Sequence, residues 1–530
     1  MQYYTLKHLY FGLSIMTGNS TQALIPTTEE KPKSKSCSTI STRIIAYSIF
    51  SLTGSSFIYG TMVWLSKIDQ NSSAASSIAS PYWATGSAFV LGPAYIATLL
   101  FGKIPGQHDI NNTEARKKAG NILKASWIVT ASVGFLVSGA LLLSNIILPA
   151  TLEQTVSAPA CEFLSGIAIG IAPMNLMITN IEILFKLGKP YIAPLCGIGL
   201  FTISMGANAL ANQYTNLGAF GVGLSGSFAQ ILMWLLTLIF LAQKEYQQYH
   251  FFNKGIHITC QELKDLMSGG RDIFIQRLTE YGSLLIIALI SNSYGSRYSL
   301  ATAPAINIIS FIASVFQSIA QAGSILMIGP KTTIVNAKYD TSLINPAIKK
   351  SKKIIKVTSI FSGLASLSVA AFMILARQWI SKQFITEDQQ AIELSNLLLI
   401  IYGAGMIPDA FRLAFIGLNR AWSPLFEIAA INFIGLIVVA GLTSYLFSLL
   451  GQGFTNTTSN QSLDLNNSDL DINMLKNPIS IVSLVRVGMT IPLAITMKSR
   501  LSYYMNKKID KYTTPTITID HRTEIDTPVG

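Results

Sequence analysis

Apolar residues run for twenty or more positions at a time along this chain, and short polar, basic or glycine- and proline-bearing stretches separate the runs. A helix needs about 20 mostly apolar residues to cross the hydrocarbon of a bilayer. Only helices and closed barrels satisfy their own backbone groups there, and runs of this length are helical. Twelve stretches qualify: 44–66, 80–101, 121–147, 158–185, 190–211, 217–242, 271–292, 302–327, 354–375, 392–416, 425–449 and 478–497. The fourth and fifth are divided by Leu187-Gly188-Lys189-Pro190, where glycine and proline stop the helix and the lysines of 186–189 mark a turn facing water. The fold class expected is an all-α polytopic membrane protein, with twelve transmembrane helices in two pseudo-symmetric bundles of six.

Composition agrees. Charged residues make up 12% of the chain, where a soluble domain carries about 25%. The formal charge of +12 does not indicate nucleic acid, because the basic residues are not gathered with aromatics on one patch. They fall in alternate loops. With the N-terminus inside, inner segments hold Lys31, Lys33, Lys35, Arg43, Lys103, Arg116, Lys117, Lys118, Lys186, Lys189, Lys244, Lys254, Lys264 and Arg271. The loop after span eight adds seven lysines between Lys331 and Lys356, followed by Arg420 and the C-terminal Lys498 to Arg522. Outer loops hold only Lys67, Arg297, Arg377, Lys382 and Lys476. This bias predicts two cytoplasmic termini and an even number of spans. It fits a bacterial inner (plasma) membrane, the placement expected here, and it also fits eukaryotic plasma or vacuolar membranes.

The expected organisation is a basic, polar cytoplasmic tail (1–43), a first bundle (44–242), a cytoplasmic linker (243–270), a second bundle (271–497) and a cytoplasmic tail (498–530). Residues 17–43 read as disordered, and Leu9–Met16 is too short and lacks the cleavage site of a signal peptide. Residues 450–477, rich in Asn, Ser and Thr, form a mobile outer loop, and Asn71 and Asn456 head glycosylation sequons on that side. An internal echo supports two halves. Leu187-Gly188-Lys189 and Leu418-Asn419-Arg420 precede Pro194 and Pro424 at nearly equal distances, after spans four and ten.

Several segments, taken in order, give the chain a family resemblance. Gly102–Gly120 with Glu114, Ala115 and Arg116 follows span two. Leu187-Gly188-Lys189-Pro190 and Leu217-Gly218-Ala219-Phe220-Gly221-Val222-Gly223 flank span five. Gly269-Gly270 and Glu280 mark span seven, and Asp409, Leu418-Asn419-Arg420 and Pro424 mark spans ten and eleven. Over roughly 45–497 the chain resembles the multidrug and toxic compound extrusion (MATE) family of the flippase-exporter superfamily. The resemblance implies a V of two six-helix bundles. It implies efflux of an amphipathic organic solute, usually a cation, in exchange for protons or sodium. No cofactor is implied beyond that coupling ion.

Carboxylates inside a membrane are costly and face a cavity or a partner. Glu280 and Asp409 lie near the middles of spans seven and ten, and match positions that form the cation site in many similar exporters. The resemblance makes them the groups that would hold a proton or sodium ion. Arg277 stands three residues before Glu280 and Arg412 three after Asp409, spacings that share a helix face. Each carboxylate is therefore expected to be neutralised by its own arginine, which would favour an anionic or zwitterionic solute, with Arg486 adding to the field. Span one lacks the aspartate many members carry. Asn208, one turn from Ser204, could line a cavity or serve as inter-helical glue, and Asn175, Asn180, Gln276 and Gln317 are of the same kind. Tyr281 and Trp422 are candidate aromatic contacts, Pro173 and Pro408 candidate bends, and Glu182 and Glu427 read as solvated.

Other classes fit less well. The four cysteines form no CxxC, and the five histidines lie in tails or polar loops, so neither a metal site nor a membrane-surface acyltransferase is indicated. No GxxxxGK[ST] loop exists for a nucleotide-driven pump. Gly102-Lys103-Ile104-Pro105-Gly106 does not supply the signature of a major facilitator transporter. The alternative within the superfamily is a flippase for lipid-linked oligosaccharide or another anionic lipid. The partners expected are a small-molecule substrate and the lipid bilayer, not nucleic acid, and the pattern leaves oligomeric state open.

Overall fold

The computed structural model describes residues 36–102, 104, 113–187, 189, 191–252, 259–337, 340–422, 425–446 and 477–513. The Leu9–Met16 stretch, Asn456, Pro190, Pro424, the loop 450–476 and the tail beyond 513 lie outside them.

All regular structure among the described residues is helical: α1 (Ser36–Ser66), α2 (Gln70–Gly102), α3 (Thr113–Leu142), α4 (Ser144–Thr151), α5 (Gln154–Ala168), α6 (Ile171–Lys186), α7 (Ile192–Tyr214) and α8 (Gly218–Leu241) in the first half. A 3-10 turn, Lys244–Tyr249, leads to α9 (Cys260–Ser293), α10 (Ser296–Asn336), α11 (Thr341–Leu375), α12 (Arg377–Phe384), α13 (Gln389–Trp422), α14 (Leu425–Phe433), a π-helical segment Ile434–Val439 and α15 (Pro478–Thr513). Nine helices among the described residues are long and apolar enough to cross a membrane, and the bent pair α5–α6 makes a tenth. Helices α1 and α2, of 31 and 33 residues, occupy the places of spans one and two. Phe135, Leu136, Ile146, Leu210, Ile239, Leu364, Leu375, Leu442 and Ile495 all stand exposed. A water-soluble protein does not display such an apolar surface. The chain is an integral, multi-pass membrane protein.

The helices outrun the apolar stretches. Residues 36–43, expected to be disordered, are helical in α1, and 498–513 continue α15. The linker 243–270 is not an open loop either, because α9 begins at Cys260. There Thr259 Oγ1 accepts from the Glu262 N–H at 3.2 Å, and a Glu262 carboxylate oxygen accepts from the Thr259 N–H at 3.1 Å. Apolarity marks where a helix meets lipid. A capped helix continues into water without it.

Helix α2 shows the converse. Its first turns are serine-rich, yet Ser72, Ser73, Ser76, Ser77 and Ser80 are all buried. Small residues let α2 approach the second half closely. Span four also departs from a plain rod: α5 and α6 meet at 50°. At that break the Gly170 N–H donates to Ser227 Oγ at 2.8 Å, and the Ser227 hydroxyl donates to the Gly166 carbonyl at 2.7 Å. A side chain of α8 thus satisfies backbone groups that the bend frees. Pro173 sits just beyond, in the first turn of α6, where its missing N–H costs nothing. Pro408 lies inside the unbroken α13.

The halves repeat one packing scheme. In the first, α2 packs on α3 and α6, α1 on α7, and α6 on α8. In the second, α10 packs on α11 and α13, α9 on α14, and α13 on α15. Between halves, α2 lies against α9 and α10, and α10 also lies against α1. The interface is bridged near both ends. At one, the Ser73 hydroxyl donates to the Phe384 carbonyl at 2.5 Å and the Ser66 hydroxyl to the Gln383 carbonyl at 3.2 Å. At the other, Gly92 meets Gly270 so closely that a Cβ on Gly92 would lie 2.2 Å from the Gly270 oxygen. Only glycine permits this crossing.

Candidate functional site

At the interface of the two halves lies a cavity of about 160 Å³, lined from both. Phe57 and Trp83 of the first half form an edge-to-face pair on one wall, with ring centroids 5.8 Å apart. Ser310, Gln317 and Gln321 of α10 form another. Three formally charged side chains line it: Glu182 of α6, Arg277 of α9 and Arg420 of α13.

Two of these overturn expectations. Glu182 is not solvated but buried. It accepts from the Gln321 amide across the interface and from the Thr98 hydroxyl at 3.4 Å. Arg420, counted above as a loop charge, is buried in the last turn of α13. It donates through Nε and Nη2 to the Gln276 amide oxygen at 3.0 and 2.9 Å, and its guanidinium lies 5.3 Å from the Tyr95 ring centroid. Gln276 therefore anchors an arginine rather than lining the cavity. Glu182 was detectable as a charge inside a predicted span. Arg420 was not, because it falls just past the apolar run.

Beside the large cavity, inside the second half, is a small void of about 10 Å³, roughly the space of one water or small ion. Its walls include Glu280, Tyr281, Asp409, Arg412 and Arg486. Arg412 Nε donates to Asp409 Oδ1 at 2.7 Å, and Arg412 Nη1 donates to Asn432 Oδ1 at 2.5 Å. The expected pairing of Asp409 with Arg412 is present.

The expected pairing of Glu280 with Arg277 is not. No ion pair joins them among the described residues; the nearest cation to Glu280 is Arg412, with Nη1 at 3.8 Å. Helical spacing places Arg277 and Glu280 on one face of α9, but the tertiary packing opens different spaces to each. Arg277 lines the large cavity and Glu280 the small one. The partner of Glu280 is neutral: the Gln317 side-chain amide donates to it. Arg486 donates to Ser283 Oγ at 3.1 Å and lies 5.9 Å from the Tyr402 ring centroid.

The remaining candidates are dispersed. Tyr281 lines both cavities, and its hydroxyl donates to Gln317 Oε1 at 3.5 Å. Asn208 is bonded to Ser204 Oγ at 3.4 Å, one turn away, and lines neither cavity. Asn180 is inter-helical glue: it accepts from Trp127 Nε1 at 2.6 Å and donates to Thr237 Oγ1 at 2.9 Å. Trp422 is packed, outside both cavities. Glu427 stays partly exposed and pairs with Arg500 at 2.8 Å.

No family model matches the chain. It is 21% identical over 201 residues to a probable multidrug resistance protein NorM of Halalkalibacterium halodurans, an alignment spanning 36% of this chain and 43% of that one. The chain thus covers less than half the length of this curated relative. Among solved structures, the eukaryotic MATE transporter AtDTX14 superposes with a TM-score of 0.66 at 12% identity, over 89% of this chain and 99% of that one. A MOP superfamily transporter from Pyrococcus furiosus superposes at 0.63 and 13% identity, over 88% and 97%, and its description is that a reversed polarity of the binding pocket suggests a different function. The chain has the fold of MATE transporters, and the resemblance read from its sequence is borne out.

Proposed function

We propose that the chain is a secondary active efflux transporter of the MATE type, not an enzyme, with both termini cytoplasmic. It would exchange protons or sodium for an amphipathic organic solute. The observation that carries this reading is the adjacency of two sites: a cavity of about 160 Å³ between the halves, and a void lined by carboxylates that shares Tyr281 with it. Glu280 is the coupling group in this reading. Asp409 is already matched by Arg412 at 2.7 Å, whereas Glu280 has an amide for its close partner and shares the same arginine at 3.8 Å. A proton or sodium ion would find Glu280 the less compensated carboxylate.

Gln317 and Tyr281 would connect the sites, since each lines the large cavity and both stand in one hydrogen-bonded chain with Glu280. Charging or neutralising Glu280 would re-aim the amide and hydroxyl presented to the solute. The cavity of about 160 Å³ is below the roughly 300–1,000 Å³ of drug-sized sites, which favours a small amphipathic solute over a lipid-linked oligosaccharide. A cation, the substrate that the resemblance implies, would have Glu182 as counter-ion; the two arginines favour the opposite sign.

The test is exchange in proteoliposomes under imposed proton or sodium gradients, using tryptamine, tryptophan and indole-3-acetate as probes that share one ring system and differ in charge. Gradient-dependent movement of any of them, lost in Glu280→Gln, supports the reading. Gradient-independent leakage of all three, equal to that of empty vesicles, sinks it.

A further inference from the structure

We infer that the large cavity is an anion-selecting site, taking an amphipathic solute whose carboxylate or phosphate binds Arg277. This rests on the transporter reading, whose resemblance implies cations, and reverses the sign of its substrate. Arg277 is only 8% exposed, lines the cavity, and forms no ion pair with a carboxylate among the described residues. Its Nε has no hydrogen-bond partner there. A guanidinium offers five N–H donors, accepts nothing, and cannot shed its charge. A buried one left with an unmet donor lacks an acceptor, and an anionic oxygen is the strongest one available.

The rest of the lining has the same bias. Trp83 Nε1, a donor only, is buried and unpartnered, and Ser310 Oγ is likewise without a partner. Arg420 brings a second positive charge and meets an amide and an aromatic ring, not a carboxylate. Against them stands one carboxylate, Glu182, already accepting from Gln321 and Thr98. Two cations to one anion, with spare donors, is a cavity arranged to be completed by negative charge. The largely apolar remainder of its wall would hold the solute's hydrocarbon body.

The test measures binding, so it does not depend on transport. The purified full-length protein in nanodiscs of neutral lipid is titrated with indole-3-acetate, tryptophan and tryptamine. The wild type should bind indole-3-acetate saturably and more tightly than tryptamine. Arg277→Gln should weaken that binding roughly tenfold, the loss of one charge-assisted hydrogen bond, while Arg277→Lys retains most of it. Competition with short-chain phosphatidylglycerol assigns the source: displacement of indole-3-acetate identifies a lipid headgroup, and its absence a soluble anion. Absence of saturable indole-3-acetate binding, tighter binding of tryptamine, or binding unaltered in Arg277→Gln overturns the inference. Because the wild-type comparison needs no variant, a misfolded Arg277→Gln would not spare it. Anion binding without gradient-driven exchange would instead count against the transporter reading alone.

Discussion

The side-chain amide of Gln317, on α10, donates to the carboxylate of Glu280, on α9. One membrane-embedded carboxylate is thereby held by a neutral group that also faces the large cavity. Replacing Gln317 with Met keeps bulk and removes the donor. A buried acceptor left unmade costs about 1–3 kcal/mol. Gln317→Met should therefore lower the thermal unfolding midpoint in detergent and also shrink the ratio of exchange rates with and without a gradient. A variant that loses stability but keeps the full gradient ratio would show that the bond is structural and does not couple the sites.

Glu280 and Asp409 should differ in what their removal does to the fold. Asp409→Asn leaves Arg412 buried with its close counter-charge gone, a change that costs about 3–5 kcal/mol for a buried pair. Glu280→Gln removes a charge whose nearest cation is 3.8 Å away and whose close partner is an amide; its cost should be about 1 kcal/mol. Unfolding midpoints measured side by side decide this. Equal losses, or a larger loss for Glu280→Gln, would mean that Arg412 serves Glu280 first.

Gly92 sets how closely the halves cross. A Cβ there would lie 2.2 Å from the Gly270 carbonyl oxygen, which belongs to backbone and cannot swing aside. Gly92→Ala should wedge the halves apart at this end and favour the state open there. Spin labels on exposed Lys118 of α3 and Lys264 of α9, read by double electron–electron resonance, should report a longer mean distance. Gly417→Ala is the control. Its Cβ would strike Ala320 O at 2.4 Å, within the second half, so it should destabilise by about 1–3 kcal/mol and leave that distance unchanged.

Sidedness is testable through Cys260, the exposed cysteine at the start of α9; Cys161 and Cys196 are buried. In a Cys37→Ser background, a membrane-impermeant maleimide applied to intact cells should leave the protein unlabelled, and permeabilisation should expose it. Labelling of intact cells would reverse the orientation that the lysines and arginines predict.

Most of the scaffold was legible. Apolar length alone located the membrane helices, because transfer of a side chain into lipid depends on that side chain and little else. The serine-rich opening of α2 was not, since its burial comes from contact with α10 and not from apolarity. The same division runs through the site. Glu280 and Asp409 stood out because a carboxylate inside an apolar run is rare for a reason local to the run. The Asp409–Arg412 pair formed as its spacing foretold.

Helical spacing foretold the Arg277–Glu280 pair equally well, and it did not form. Spacing says which side chains share a face; it does not say which space that face meets. Gln317, Arg412 and Asn432 reach the Glu280–Asp409 cluster from α10, α13 and α14, and Glu182 and Arg420 enter the cavity from opposite halves. By itself the sequence determined the helices and the charges they carry into the membrane, because transfer and backbone hydrogen bonding are settled residue by residue. Only the tertiary structure decided which charge meets which, since a Coulomb or hydrogen-bond contact is a matter of a few ångströms between helices far apart in the chain.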